Sequence, residues 1–154
     1  MRNNAEYGLS LRFVHPSIDP KDITKKLKIK PRFSWKSGEQ AKSPTGTKLN
    51  FVRKESYWCY NIKKNDEFFS SEINKILKDI SQHRGFLHRI VAENGRVELY
   101  LGLPGSINIG DTIPLETLTK LTDLKVALAI EVFPHMKKIA NVAKASRKRQ
   151  RSKR

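Results

Sequence analysis

The chain is short of acid, cysteine and long apolar runs, and each shortage removes a class of protein. Only 15 aspartates and glutamates face 31 lysines and arginines, a formal charge of +16 in 154 residues. Such a field draws nucleic acid, acidic proteins or anionic membrane surfaces, without choosing among them. A single cysteine, Cys59, excludes an internal disulfide framework and suits a reducing compartment. No apolar run approaches the roughly 20 residues that cross a bilayer. The opening Met1-Arg-Asn-Asn-Ala-Glu-Tyr7 lacks the apolar stretch of a secretory signal, so the expected location is cytoplasmic. Metal sites need His, Cys or carboxylates at ligand spacing, yet His15, His83, His88 and His135 are scattered. No Gly-x-Ser-x-Gly elbow, phosphate loop or dinucleotide fingerprint occurs. Pro44-Thr-Gly-Thr-Lys48 does not make the Gly-x-x-x-x-Gly-Lys pattern of a phosphate loop, and no helix immediately follows Leu101-Gly-Leu-Pro-Gly105. No catalytic residue, cofactor or metal is therefore assigned, and the expectation is not an enzyme.

The sequence has enough apolar pattern for one domain, which at this length buries about two-thirds of its unfolded surface without staples. Leu9, Leu11 and Phe13 alternate with Ser10, Arg12 and Val14, as in a strand with one buried face. Asp19 and Pro20 suit the cap and first turn of a helix that carries Ile23 and Leu27 and stops before Pro31. Arg32–Trp35 reads as extended, Gly38–Leu49 as a loop, and Glu55–Ile62 as a strand. Ser70 or Ser71 should cap a long helix reaching Glu93, with a break near Gln82–Gly85, and Asn94-Gly95 is a turn signal. Arg96–Leu103 is a strand with Val97, Leu99 and Leu101 facing one way and Glu98 and Tyr100 the other. Pro114 opens a helix to about Asp123. Val126–Phe133 is apolar on both faces, which predicts a strand at the sheet centre.

The expected architecture is α+β, in the order β-α-β-β-α-β-α-β: a mixed sheet with helices packed on one face. A faint echo between Asp19–Ile29 and Leu115–Leu124 suggests a ferredoxin-like pseudo-repeat. The expected division is a flexible 1–8, a single domain at 9–134, a short helix at 135–143 and a disordered basic tail at 144–154. That tail holds seven of the bases and no acid, Arg147, Lys148, Arg149, Arg151, Lys153 and Arg154 among them. The 24 bases that remain still outnumber the 15 acids, so the body is basic in its own right.

Two boxes stand out: Trp35-Lys36-Ser-Gly38-Glu39, then Arg53-Lys54-Glu-Ser56-x-Trp58 after a polar loop. With the Asp19-Pro-x-x-Ile-x-x-x-Leu-x-Ile-x-Pro segment before them, they resemble a bacterial family known as domain of unknown function 4279. The resemblance runs from about Leu9 to Pro134 and does not extend to the tail. It implies a small, stand-alone domain with no established catalytic residues, and a lean toward the immunity proteins that accompany toxins. Trp35, Lys36, Gly38, Glu39, Arg53, Lys54, Ser56 and Trp58 are the candidate binding residues. Alternatively, Trp35 and Trp58 are core aromatics and Gly38 serves a turn. Cys59 reads as a nucleophile or, with Trp58 and Tyr60 beside it, as a small buried hydrophobe. His15 and His135 each end a strand beside a proline and form either an acid–base pair or two exposed histidines.

Three functional classes remain. One is a non-enzymatic, immunity-type binder of a toxin or other acidic protein. Another is a nucleic-acid accessory protein, with Phe33, Trp35, Tyr57 and Tyr60 stacking on bases among Arg32, Lys36, Arg53 and Lys54. An enzyme comes last.

Overall fold

Alternation and capping shape the first half of the chain. The computed structural model describes residues 7–65, 68–105 and 108–134. In β1 (Gly8–His15), Leu9, Leu11 and Phe13 are buried on one face. Tyr7, expected in a flexible end, is buried with its ring edge-on to Phe69 at 5.9 Å. α1 (Pro20–Leu27) starts as read: the Lys21 amide donates to Asp19 Oδ1 at 2.9 Å and Pro20 opens the first turn. It stops at Lys28, which adopts the left-handed conformation at φ 57°. The Lys21 amide, and then the Lys36 ammonium 3.3 Å away, hold the Asp19 carboxyl below the usual carboxylate range. Asp19→Ala should lower the thermal midpoint at neutral pH. A depressed carboxylate stabilises above its unfolded-state pKa and loses that effect as pH falls through the folded value. Melts of the two proteins should therefore converge in acid.

Gly38–Leu49 is not a loop. β2 (Phe33–Trp35) leads into a hairpin of β3 (Gln40–Lys42) and β4 (Lys48–Val52), closed at Ser43–Thr47 with Gly46 at φ 89°. Both hairpin strands are mostly exposed, so they lack the apolar alternation that betrays a strand. β5 (Ser56–Asn61) follows. α2 (Phe69–Ile80), a 3-10 turn at Ser81–His83 and α3 (Arg84–Ala92) together form the long broken helix. Neither Ser70 nor Ser71 caps it by side chain. Instead the Ser70 amide donates to Asp111 Oδ2 at 2.8 Å, a long-range cap that local spacing cannot reveal.

The chain ends, as far as it is described, with β6 (Arg96–Pro104), α4 (Leu115–Asp123) and β7 (Val126–Phe133). The main sheet runs β2-β5-β1-β6-β7. β1 is antiparallel to β5 and β6, β2 is antiparallel to β5, and β6 pairs in parallel with β7. Leu9, Leu11, Phe13, Trp58, Val97, Leu99, Leu101 and Val126 share one sheet face, and all four helices bury their apolar stripes on it. This is the α+β mixed sheet with one helical face that the sequence predicts. Two finer expectations fail. Among the described residues β7 lies at the edge rather than the centre, with Ile130 and Val132 facing solvent. The halves are also unequal. α4 joins parallel neighbours, whereas β5 lies between the two strands flanking α1, so the echo is no ferredoxin-like repeat.

His15 is not an exposed strand end. It is buried, and its Nδ1 accepts from the amides of Ser17 (3.1 Å) and Ile18 (2.9 Å). The proton therefore sits on Nε2, which donates to Glu93 Oε2 at 3.0 Å. β1 and β7 are separated by β6, which rules out the parallel neighbours the His15–His135 pair requires. His135, the short helix at 135–143 and the basic tail lie outside the described residues.

Candidate binding face

Opposite the helices, the strand register assembles a second face. Directly opposed residues on neighbouring strands share a side of the sheet. Trp35, Tyr57, Val14 and Arg96 form one row, and Phe33, Cys59, Arg12, Glu98 and Ala127 the next. Asn61, Ser10, Tyr100 and Ala129 form the third. Ser10, Val14 and Cys59 are buried on this face, and Arg12 Nε donates to Ser10 Oγ at 3.1 Å. The Arg12 guanidinium sits 3.4 Å over the Tyr100 ring, with a Glu98 oxygen 3.9 Å away. Tyr100 donates its hydroxyl proton to Glu131. Partial burial, then that bond, raises its pKa above the ordinary value.

The aromatic end of the face is stacked. Trp35 and Tyr57 lie nearly parallel, 20° apart with centroids at 4.5 Å, and Arg53 sits 4.0 Å over the Trp35 ring. Arg32 covers Phe33 at 5.0 Å. Burial, then the hydrogen bond with Cys59, pushes the Tyr57 pKa up to about 12, so its phenol keeps its proton.

The two sequence boxes form one unit beside this stack. The loop after β2 and the link between β4 and β5 are bonded to each other. Gly38, at φ 87°, donates its amide to the Arg53 carbonyl, and Arg53 donates to the Glu39 carbonyl, both at 2.8 Å. The Ser37 amide donates to Ser56 Oγ at 3.0 Å, and the Ser37 hydroxyl to the Lys54 carbonyl at 3.1 Å. Ser56 is buried in this role. Gly38 thus supplies the left-handed backbone that a tight turn demands.

The chain belongs to the DUF4279 family. The model of that domain of unknown function matches residues 5–134, so the boxes, the sheet and all four helices lie within it. No curated protein and no solved structure matches the chain.

In this DUF4279 domain the candidate residues separate. Trp35, Arg53 and Lys54 belong to the stack or its rim, with Lys54 exposed. Lys36 reaches back to Asp19 at 3.3 Å, and Glu39 is exposed. Gly38 and Ser56 hold the loops together. Trp58 points into the core, where its Nε1–H donates to Thr24 Oγ1 at 2.9 Å. The tail residues Arg147, Lys148, Arg149, Arg151, Lys153 and Arg154 are outside the described residues. Sequence reasoning left out Arg12, Glu98 and Tyr100. Alternation already put them opposite the core, but only the register brings them into one patch with Tyr57.

Among the described residues no cluster of three or more His, Cys, Asp or Glu could hold a metal. No helix among them is long and apolar enough to cross a membrane.

Proposed function

We propose that the protein is a non-enzymatic binding protein that uses the face opposite its helices to hold an acidic protein surface, in the manner of an immunity-type inhibitor of a toxin. The observation that carries this reading is the Arg53–Trp35–Tyr57 stack, with Arg12 on Tyr100 in the same sheet. Trp, Tyr and Arg are the residues that dominate protein–protein hot spots. Rigid rings carrying guanidinium groups offer large contact area at low entropic cost and a planar fork for carboxylates. The same geometry disfavours base stacking, since the Trp35 ring is already engaged by Tyr57 and Arg53.

A different surface favours the nucleic-acid reading. A groove of about 500 Å³ between α1 and α3 is lined by Lys25, Lys26, Lys28 and Arg89, with Asp22 as its acid. Among the described residues, none of those three lysines makes an ion pair.

The two readings part in one experiment. Immobilised full-length protein is exposed to nuclease-treated bacterial lysate beside a Trp35→Ala/Arg53→Glu variant and a Lys25→Glu/Lys26→Glu variant. Retention of one stoichiometric protein, lost only in the first variant, supports the sheet-face reading. If nuclease abolishes all binding and the lysine variant alone fails to bind single-stranded oligonucleotide, the groove reading replaces it.

A further inference from the structure

The two edges of the main sheet are built differently. The β2 edge is three residues long, follows Pro31, and is flanked by Arg32 and Lys36. Shortness, proline and charge are the usual means of blunting an edge. The β7 edge is long, with Lys125 just before it and Pro134 just after it as its only comparable features. It runs eight residues, Val-Ala-Leu-Ala-Ile-Glu-Val-Phe, without proline, lysine or arginine. Its one charged residue, Glu131, is engaged by Tyr100. Ile130 and Val132 are each 57% exposed on the helical side of the sheet, and α4, which packs on β7, leaves Leu118 42% exposed. A strand that is apolar on both faces is the pattern of a sheet centre, yet this one stands at the rim of the sheet.

We infer that β7 pairs antiparallel with β7 of a second copy of this chain, joining two five-stranded sheets into one of ten strands. Pattern and position then agree, because β7 becomes central in the assembly. The occupant follows from charge. In a chain of +16, two copies repel each other almost everywhere, and this edge has no cation along its whole length. An acidic partner would find nothing there to pair with. Two-fold pairing is also self-complementary. Centred on Ile130, it sets Ile130 opposite its counterpart and Leu128 opposite Val132 of the other copy. Because the side-chain period is two, the exposed apolar groups of both copies stay on one side.

The test is the mass of the nuclease-treated full-length chain by sedimentation, from about 1 to 100 μM, in about 0.5 M salt to screen the like charge. It is paired with hydrogen exchange on the β7 amides. The expected result is a dimer whose β7 protection rises with concentration. Ile130→Lys/Val132→Lys should halve the mass and leave circular dichroism and melting of the monomer intact, since both side chains are exposed. A chain that stays monomeric at the highest concentration overturns the inference. So does a dimer that survives the double substitution, or β7 protection independent of concentration, which would mean that the chain covers its own edge.

Discussion

Trp58→Ala lowers the free energy of unfolding by about 4 kcal/mol, measured by urea denaturation, whereas Trp35→Ala costs about 1 kcal/mol or less. The two tryptophans occupy similar boxes and look alike in the sequence. Trp58 has no exposed surface, meets Phe13 edge to face at 5.4 Å, and donates its indole N–H to Thr24. Truncation opens a cavity between the sheet and α1 and leaves the Thr24 hydroxyl oxygen without its donor. Trp58→Phe keeps most of the volume and should recover all but about 2 kcal/mol. Trp35 is only half-buried on the opposite face, so its loss removes one stacked pair rather than core. If the two alanine variants proved equally unstable, the stack would be structural and the proposed interface would lose its main support.

Gly95→Ala is expected to cost about 2–3 kcal/mol, read from the same denaturation curves. Gly95 does not have a positive φ; what it lacks is room. A Cβ there would lie 2.7 Å from the Ile90 carbonyl oxygen, 2.8 Å from the Ile90 side chain and 2.8 Å from the His15 ring. None of these can retreat cheaply. The Ile90 carbonyl accepts the Gly95 amide at 2.8 Å, and His15 is held by Ser17, Ile18 and Glu93. Gly85→Ala is the contrast. No atom lies within 4 Å of its added Cβ, and it sits in α3, where alanine is the better helix former, so that variant should gain about 0.5 kcal/mol.

Which parts of the fold were legible depended on whether the forces setting them were local. β1 and β6 show strict alternation, α1 carries its own cap, and the break before Gly85 is marked by composition. All are set by neighbours in sequence. The β3–β4 hairpin escaped because its strands bury only Ala41, too little to impose a pattern. The cap on α2 escaped because Asp111 supplies it from far along the chain. The pattern of β7 is that of a central strand, while the sheet order puts it at the rim. On the binding face, Trp35 and Arg53 could be singled out from their boxes. Their contact could not, nor could the pairing of Arg12 with Tyr100, because both follow from the registers of β2 on β5 and β1 on β6.

The sheet order also governs the timing of assembly. β1 is the first of the described strands to leave the ribosome, yet it occupies the middle of the sheet, where Leu11 pairs with Tyr60 on one side and Leu99 on the other. Neither neighbour exists when β1 emerges, and β6 follows only after α2 and α3 have been made. Until β5 is made Leu9, Leu11 and Phe13 have no neighbouring strand, and until α2 and α3 follow they lack most of their helical cover. Contacts this distant along the chain slow folding and prolong the exposure of apolar surface. The nascent domain is thus most vulnerable to aggregation between the synthesis of its first strand and its sixth.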